Sequence, residues 1–513
     1  MNIHALLKSI DIEEIKNEPH TTVTQIAYDS RRVEPGTLFV CIKGFKVDGH
    51  KFAGQAVEKG AVAIVVEEIL EDIDVPQIRV SDTRIALAAL ADEFYDHPSQ
   101  KIKTIGITAT NGKTSTSFMT NAILENHGYK TGLMGTIVVK IGDYAEPSEL
   151  TTPESLDLHH FFKKMVDEEV SHATMEVSSS ALELNRIGNV DFDIVTLNNI
   201  SREHIDLHAS FENYLAHKTG LVRNAGEGKI AILNLDDPYS ADLVDQTAAD
   251  VVTIGVERQD ADIRCQSLDL STGRANFVVE IVRDIHAGGE VIPKQQFEIN
   301  LATPGFHSVY NSMVSIALGL LSGVSVETIQ QSLAEFVGVE RRFEIIFEED
   351  FKIIDDHFAN SGNIDVTLGT LVKMDFNKVK LVYAIRGDRG VTVNRENAET
   401  IVKWASKLGL TEVVATCSRS HVTEKDVVRD NELDVFLAVM EEAGIRVNLF
   451  DELPDAIQEG LLNVEDEDIL LLAGCQGMDF GAKLALEQLK GLRPELDDEK
   501  LLHPLKKRVA GNV

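Results

Sequence analysis

Short, uninterrupted apolar runs alternate with longer amphipathic segments along most of the chain. The runs at 62–66, 102–107, 173–177, 193–197 and 229–233 predict buried strands, and those at 379–385, 412–415 and 468–473 continue the pattern. Strands covered on both faces lose the period-two alternation of half-exposed ones. Such runs, separated by helix-length segments like 115–126, therefore predict α/β layers with mostly parallel sheets. No internal repeat or low-complexity linker interrupts the pattern. One boundary is expected near His97-Pro98-Ser99 and a second near Val337-Gly338-Val339, after a helical segment at 309–336. They divide the chain into 1–98, 99–338 and 339–513, each a reasonable domain. Ligand sites in such sheets lie at the carboxyl ends of the strands.

Composition narrows the function classes. A chain of 513 residues with 43% hydrophobic content has ample material for several cores, and only the basic tail from Lys506 reads as disordered. No apolar run is long enough to span a bilayer. Met1-Asn2-Ile3-His4 lacks a charged-then-apolar signal, so a cytoplasmic location is expected. Cys41, Cys265, Cys417 and Cys475 are isolated, which argues against a disulfide frame or a zinc knuckle. The formal charge of −34 disfavours nucleic acid or an anionic membrane as partner. An anionic substrate must find a basic pocket inside this negative envelope.

The densest chemistry lies in Gly106-Ile107-Thr108-Ala109-Thr110-Asn111-Gly112-Lys113-Thr114-Ser115, between an expected strand and an expected helix. Glycine there lets backbone N–H groups approach phosphates, a lysine neutralises β/γ charge and a threonine hydroxyl reaches Mg²⁺. The spacing is unusual, since Gly106 lies six residues before Gly112 rather than five. ATP or GTP is the expected ligand. Glu176 ends the next apolar run and is placed either to hold Mg²⁺ opposite Thr114 or to face solvent as a strand-end acid. His204 and His208 fit one helical turn. The pair reads as surface or cap histidines or, less readily, as a zinc site, and His204 otherwise reads as a residue beside a second Mg²⁺. Lys218 alone reads as an ordinary surface lysine.

Taken together, these segments resemble the Mur ligases, most closely the branch that builds UDP-N-acetylmuramoyl-tripeptide. The matching pieces include Asp29-Ser30-Arg31-Arg32-Val33, Val47-Asp48-Gly49-His50, Thr110-Asn111-Gly112-Lys113-Thr114, Thr151-Thr152-Pro153-Glu154 and Glu176-Val177-Ser178-Ser179. Ser201-Arg202-Glu203-His204-Ile205-Asp206-Leu207-His208, Tyr310-Asn311 and Arg342-Phe343-Glu344 follow in family order. The resemblance implies a three-domain α/β architecture: an N-terminal UDP-substrate domain, a central P-loop ATPase and a C-terminal Rossmann-like domain. It implies that ATP phosphorylates a terminal carboxylate and that an amine then attacks the acyl phosphate. It implies Thr110 to Ser115, Asn311, Arg342 and Asp356 as ATP-binding residues, and Lys113, Glu176, His204 and Lys218 as catalytic. Thr114, Glu176, His204 and a carbamylated Lys218 would hold Mg²⁺, while Ser30, Thr151, Thr152, Ser179 and Arg186 would bind the UDP-linked donor. The enzyme is expected to act as a monomer.

The C-terminal third departs from the family. Asp-Tyr-Ala-His-Thr-Pro becomes Asp356-His357-Phe358-Ala359-Asn360-Ser361, and Gly-Asp-Arg-Asp-x-x-Lys-Arg-Pro shortens to Gly387-Asp388-Arg389-Gly390. Cys417-Ser418-Arg419-Ser420 stands where Asp-Asn-Pro-Arg grips the carboxylate of meso-diaminopimelate. Met478 stands where the family's acid would meet the acceptor's distal ammonium. Unpaired buried charge is costly, so an acceptor other than meso-diaminopimelate is expected, with Arg389 and Arg419 offered to its carboxylate. Closer to the phosphates, Ala109 replaces a glycine, which is harmless at negative φ. Ser180 replaces the family's histidine. Two other classes remain open: a paralogue in a pseudomurein-like or specialised-metabolite pathway, and a nucleotide-binding regulator without chemistry.

Overall fold

The computed structural model describes residues 1–44, 47–201, 210–270, 274–462 and 464–507. They form two compact units: Met1–Ala109 with Leu124–Thr253 and Ile285–Ile292, and Thr110–Ile123 with Ile254–Asp284 and Pro293–Val513.

Besides the two-stranded ribbon of Ile285–Ala287 with Glu290–Ile292, the first unit holds two larger sheets. The smaller runs Glu14–Lys16, Gln77–Arg79, Ala61–Val66, Thr37–Val40, Gln25–Ala27, parallel except at its first pair. Alternate residues face two layers: Leu38, Val40, Ala63 and Val65 pack on the helix Thr83–Phe94, while Phe39, Ile64 and Val66 pack on Ala53 and Ala56. In the larger sheet Ile230–Asn234, Ile194–Leu197, Lys103–Thr108, His172–Glu176 and Thr131–Met134 are parallel neighbours. Val138–Ile141 and Tyr144–Pro147 extend it antiparallel. Leu158, Phe162 and Met165 of Ser155–Asp167 join Tyr214, Leu221 and Val222 of Phe211–Arg223 in one core beneath these strands.

Gly106 belongs to this packing. It pairs with Met175 and Val195 inside the sheet, and a Cβ there would lie 2.7 Å from the Phe192 ring. The odd spacing to Gly112 follows, because Gly106 is a strand glycine and the loop begins after Thr108.

In the second unit Ile263–Asp269, Arg274–Ile281 and Gln295–Pro304 pair antiparallel. The expectation of mostly parallel sheets does not extend to them. Arg274–Ile281 buries every second residue, the signature of a half-covered strand rather than a continuous apolar run. The 309–336 segment is two helices, Phe306–Leu321 and Val326–Glu335.

The last third forms a six-stranded sheet in the order Glu344–Glu348, Lys352–Asp356, Ile469–Gly474, Val379–Ala384, Glu412–Thr416, Arg446–Phe450. Only the first pair is antiparallel. Helices Ser361–Leu371, Gly390–Leu408 and Asp430–Glu442 cover one face, and Leu453–Leu461 with Gly481–Leu492 the other. The chain leaves Val379–Ala384 toward the first face and the adjacent Ile469–Gly474 toward the second. The topological switch point, where such sheets open a crevice, lies between these two strands.

Candidate functional site

In the second unit the phosphate loop runs straight into the helix Lys113–Asn126. Gly112 has φ of +89°, and a Cβ on it would sit 2.3 Å from Asn311 Oδ1, so the turn accepts glycine alone. The Thr116 hydroxyl donates to the same Asn311 oxygen at 3.3 Å, and Thr120 meets Ser315 one turn later. Asn311 thus braces the helix against Phe306–Leu321. Lys113 Nζ donates to Thr110 O at 3.1 Å, folding the ammonium back over its own loop. Thr114 is buried. Ala109 is absent from the positive-φ positions, so the alanine is accommodated as expected. Asn111 Oδ1 accepts from the side chain of Asn363 in the helix Ser361–Leu371.

The first unit gathers a second group. Glu176 is fully buried, which excludes a solvated strand-end acid. Its carboxylate accepts from Thr136 N–H at 2.9 Å and Thr136 Oγ1 at 3.0 Å. Thr151 Oγ1 lies 3.1 Å from Thr136 Oγ1, and Thr152 Oγ1 donates to Glu176 O at 2.8 Å while accepting from Ser178 N. Ser178 caps the short helix Ser179–Glu183, on which Ser179 is buried. Arg186 reaches Thr152 O at 3.3 Å and pairs with Glu154, which also holds Arg84. Thr151, Thr152, Glu176, Ser179 and Arg186 are therefore built into one region. Ser30 lies apart in the N-terminal turn Ser30–Arg32, donating to Gln55.

Lys218 is no surface lysine. Only 2% exposed, it donates through Nζ to Ala109 O at 2.6 Å and to Thr108 Oγ1 at 3.3 Å, with the ammonium 5.3 Å from the Tyr214 ring centre. The buried ammonium is held where the 103–108 strand ends, which is unusual for a lysine. His204 and His208 lie outside the described residues, as does the tail beyond Lys507. Among the described residues no group of three or more His, Cys, Asp and Glu is arranged to hold a metal. A hydroxyl and a single carboxylate suit Mg²⁺, which keeps water and phosphate oxygens as its remaining ligands.

The C-terminal sheet places the remaining residues. Asp356 is buried and accepts from Phe343 N and Thr367; burial raises its carboxyl. Arg342 sits between Arg341 and Phe343, both at positive φ. Arg341 bonds the carbonyls of Gly474 and Cys475 and pairs with Asp479. Arg419 pairs with Asp451 at 3.0 Å and stays half-exposed; Arg389 is exposed at the start of the helix Gly390–Leu408. Met478 is fully buried in the core with Leu472 and Ala482, not in a crevice. Two residues had no sequence signal. Glu432 accepts from the N–H groups of Asp388, Arg389, Gly390 and Arg429, fixing the loop that carries Arg389. Arg386 is half-buried two residues beyond Val379–Ala384.

Three family models match the chain in succession: the Mur ligase catalytic domain at residues 22–95, the middle domain at 107–319 and the glutamate ligase domain at 341–476. The chain is 36% identical to the UDP-N-acetylmuramoyl-L-alanyl-D-glutamate–2,6-diaminopimelate ligase of Bacillus velezensis, covering 92% of this chain and 94% of that one. It is 34% identical to the ligase of the same name from Clostridium botulinum, covering 99% and 100%. Among solved structures, a UDP-N-acetylmuramoylalanyl-D-glutamyl-2,6-diaminopimelate–D-alanyl-D-alanyl ligase from Acinetobacter baumannii superposes with TM-score 0.64 at 21% identity, over 96% and 98%. That likeness bears out the three-domain α/β architecture. With all three segments matched in order and full-length relatives above 30% identity, the chain belongs to the Mur ligase family of ATP-dependent, ADP-forming ligases.

Proposed function

We propose that this ligase joins an amino acid to the terminal carboxylate of a UDP-N-acetylmuramoyl-dipeptide in peptidoglycan synthesis, in the cytoplasm and as a monomer. The observation that carries it is the hydrogen-bonded group of Thr151, Thr152, Glu176, Ser178 and Arg186, together with the names of the full-length relatives. Residues 1–98 would take the UDP end, 99–338 the ATP, and 339–513 the amino acid.

The chemistry follows from charge. A carboxylate does not react with an amine in water, so its oxygen first takes the γ-phosphoryl group and ADP leaves. The amine nitrogen then attacks the acyl carbon, phosphate departs and the amine loses a proton. Thr110 to Ser115, Asn311, Arg342 and Asp356 hold the nucleotide, and Lys113 neutralises charge on the transferring group. Thr114, Glu176, His204 and Lys218 as its carbamate would hold Mg²⁺, which supplies Lewis-acid stabilisation of phosphoryl oxygens when bound. Ser30, Thr151, Thr152, Ser179 and Arg186 bind the donor. Arg389 and Arg419 are the exposed arginines offered to the acceptor.

The acceptor is an amino acid other than meso-diaminopimelate, since Met478 replaces the acid for its ammonium and lies in the core. Phosphate release with ATP, Mg²⁺ and UDP-N-acetylmuramoyl-Ala-Glu across an amino-acid panel tests this; meso-diaminopimelate as best acceptor would refute it. A paralogue acting on another peptide donor would be silent with this donor and active with a different carboxylate. A nucleotide-binding regulator would bind ATP without turnover on any donor.

A further inference from the structure

The switch point of the C-terminal sheet gathers positive charge that the fold neutralises at Arg341 but, among the described residues, pairs with no carboxylate at Arg386. Arg386 stands two residues beyond Val379–Ala384, one of the two strands that flank it. The other, Ile469–Gly474, leads into Cys475, and the backbones approach so closely that a Cβ on Gly474 would lie 2.7 Å from Ala384 Cβ. Arg386 Nη1 donates to Ala359 O, and its buried Nε has no hydrogen-bond partner. Among the described residues no carboxylate forms an ion pair with Arg386, whereas Arg341 has Asp355 and Asp479, and Arg419 has Asp451. Two further groups packed there carry no charge of their own. Cys475 donates its thiol to Phe358 O and burial keeps that thiol protonated, while burial and the charges of Arg342, Arg341 and Arg386 hold His357 neutral.

A guanidinium partly withdrawn from water without a counter-charge is less favourable in the empty protein than one that is paired. It becomes favourable when a planar anion arrives, because two N–H groups in a fixed fork match a carboxylate. Arg386 lies within the matched glutamate ligase domain but immediately before the motif that begins at Gly387. We infer that Arg386 is the receptor for the α-carboxylate of the acceptor amino acid, and that this acceptor carries no distal ammonium. The second clause comes from Met478, which faces the core beside Gly481 and leaves no acid at that position. The inference rests on the proposed ligase reading and deepens it, replacing the two exposed arginines with an inner one. The same guanidinium chemistry suits a nucleotide phosphate, and the experiment separates the two sources.

Initial rates of phosphate release are measured with ATP, Mg²⁺ and UDP-N-acetylmuramoyl-Ala-Glu, using proteinogenic amino acids, meso-diaminopimelate and the α-carboxamide of the best acceptor. The wild type is expected to favour the free acid over its carboxamide by about 100-fold or more in kcat/KM. In Arg386→Met that preference should fall to within about threefold, with KM for ATP and donor changed by less than about twofold. Arg386→Lys should recover part of it, having the charge without the fork. A wild-type enzyme that uses the carboxamide as well as the acid overturns the inference with no variant needed. So does an Arg386→Met enzyme whose KM rises for ATP alone, which would assign the guanidinium to phosphate. Silence of the wild type with every acceptor overturns the donor reading first and this inference with it, and is seen before any variant is compared.

Discussion

The side-chain amide of Asn363 donates to Oδ1 of Asn111 at 2.7 Å, so the first turn of a C-terminal helix holds a residue of the phosphate loop. Asn363 is itself oriented by the cap, its N–H donating to Asn360 Oδ1 at 2.8 Å. Asn363→Ala removes a bond worth about 1 kcal/mol net. KM for ATP should rise about fivefold while KM for the amino acid stays constant. Equal rises in both constants would show that the contact does not act through the loop.

Gly112 and Ala109 should respond oppositely to substitution. Gly112→Ala sets a Cβ against Asn311 at positive φ, which costs about 1–3 kcal/mol and displaces the loop. ATP turnover should fall at least tenfold. Ala109→Gly should leave KM for ATP within about threefold and lower stability by about 0.5–1 kcal/mol through unfolded-chain entropy. Thermal melts with paired ATP titrations read both.

Lys218→Ala should abolish turnover while ATP still binds, and a short carboxylic acid should restore part of the rate. Lys218→Arg should not be rescued, because its guanidinium cannot carry a carbamate and fills the space. Mass spectrometry of the intact wild-type chain under carbon dioxide offers a second readout. Rescue absent in Lys218→Ala would argue for a purely structural ammonium on Ala109 O.

Buried histidines set an acid limit. Burial lowers His172 and His307 from the usual 6.5 to about 4, and His357 lies well below 6.5. The unfolded chain takes up these protons near pH 6.5 while the native chain refuses them. Their contribution is therefore complete above pH 6.5 and is lost as pH falls toward 4. Melting temperature should drop steeply across that window, and His307→Gln should flatten the drop. A melting temperature constant from pH 7 to 4.5 would contradict it.

Glu432→Gln should destabilise the C-terminal unit by about 2–3 kcal/mol, since four backbone N–H groups lose a charged acceptor. Urea unfolding measures the loss. KM for the acceptor should rise as well, because the loop of Gly387 to Gly390 is drawn around that carboxylate.

The parallel strands were legible because burial on both faces writes itself as continuous apolar runs, and the 103–108 and 172–176 strands fall within one residue of expectation. Arg274–Ile281 was not, since its half-covered pattern mixes Arg, Asn and Glu with apolar residues. Gly106 counts into the phosphate-loop spacing although it falls within the expected 102–107 strand, because a glycine required by the Phe192 ring is indistinguishable in sequence from one required by a phosphate. The same limit hid Arg386 and Glu432. A charged letter does not say whether its side chain meets water, and only the packing of distant strands decides that. Lys218 was overlooked by residue type for this reason and found only through the family motif.

On the proposed reading, burial of Met478 would also make a change of acceptor hard to reverse. Restoring an acid at that position would drive a carboxylate into the apolar layer of Leu472 and Ala482, not into a crevice. The direct mutational route back to an ammonium-binding site therefore passes through an unstable protein, and the surrounding core must be rebuilt before the acid can return. On that reading core packing would act as a ratchet on substrate choice, set by folding stability rather than by any advantage in catalysis.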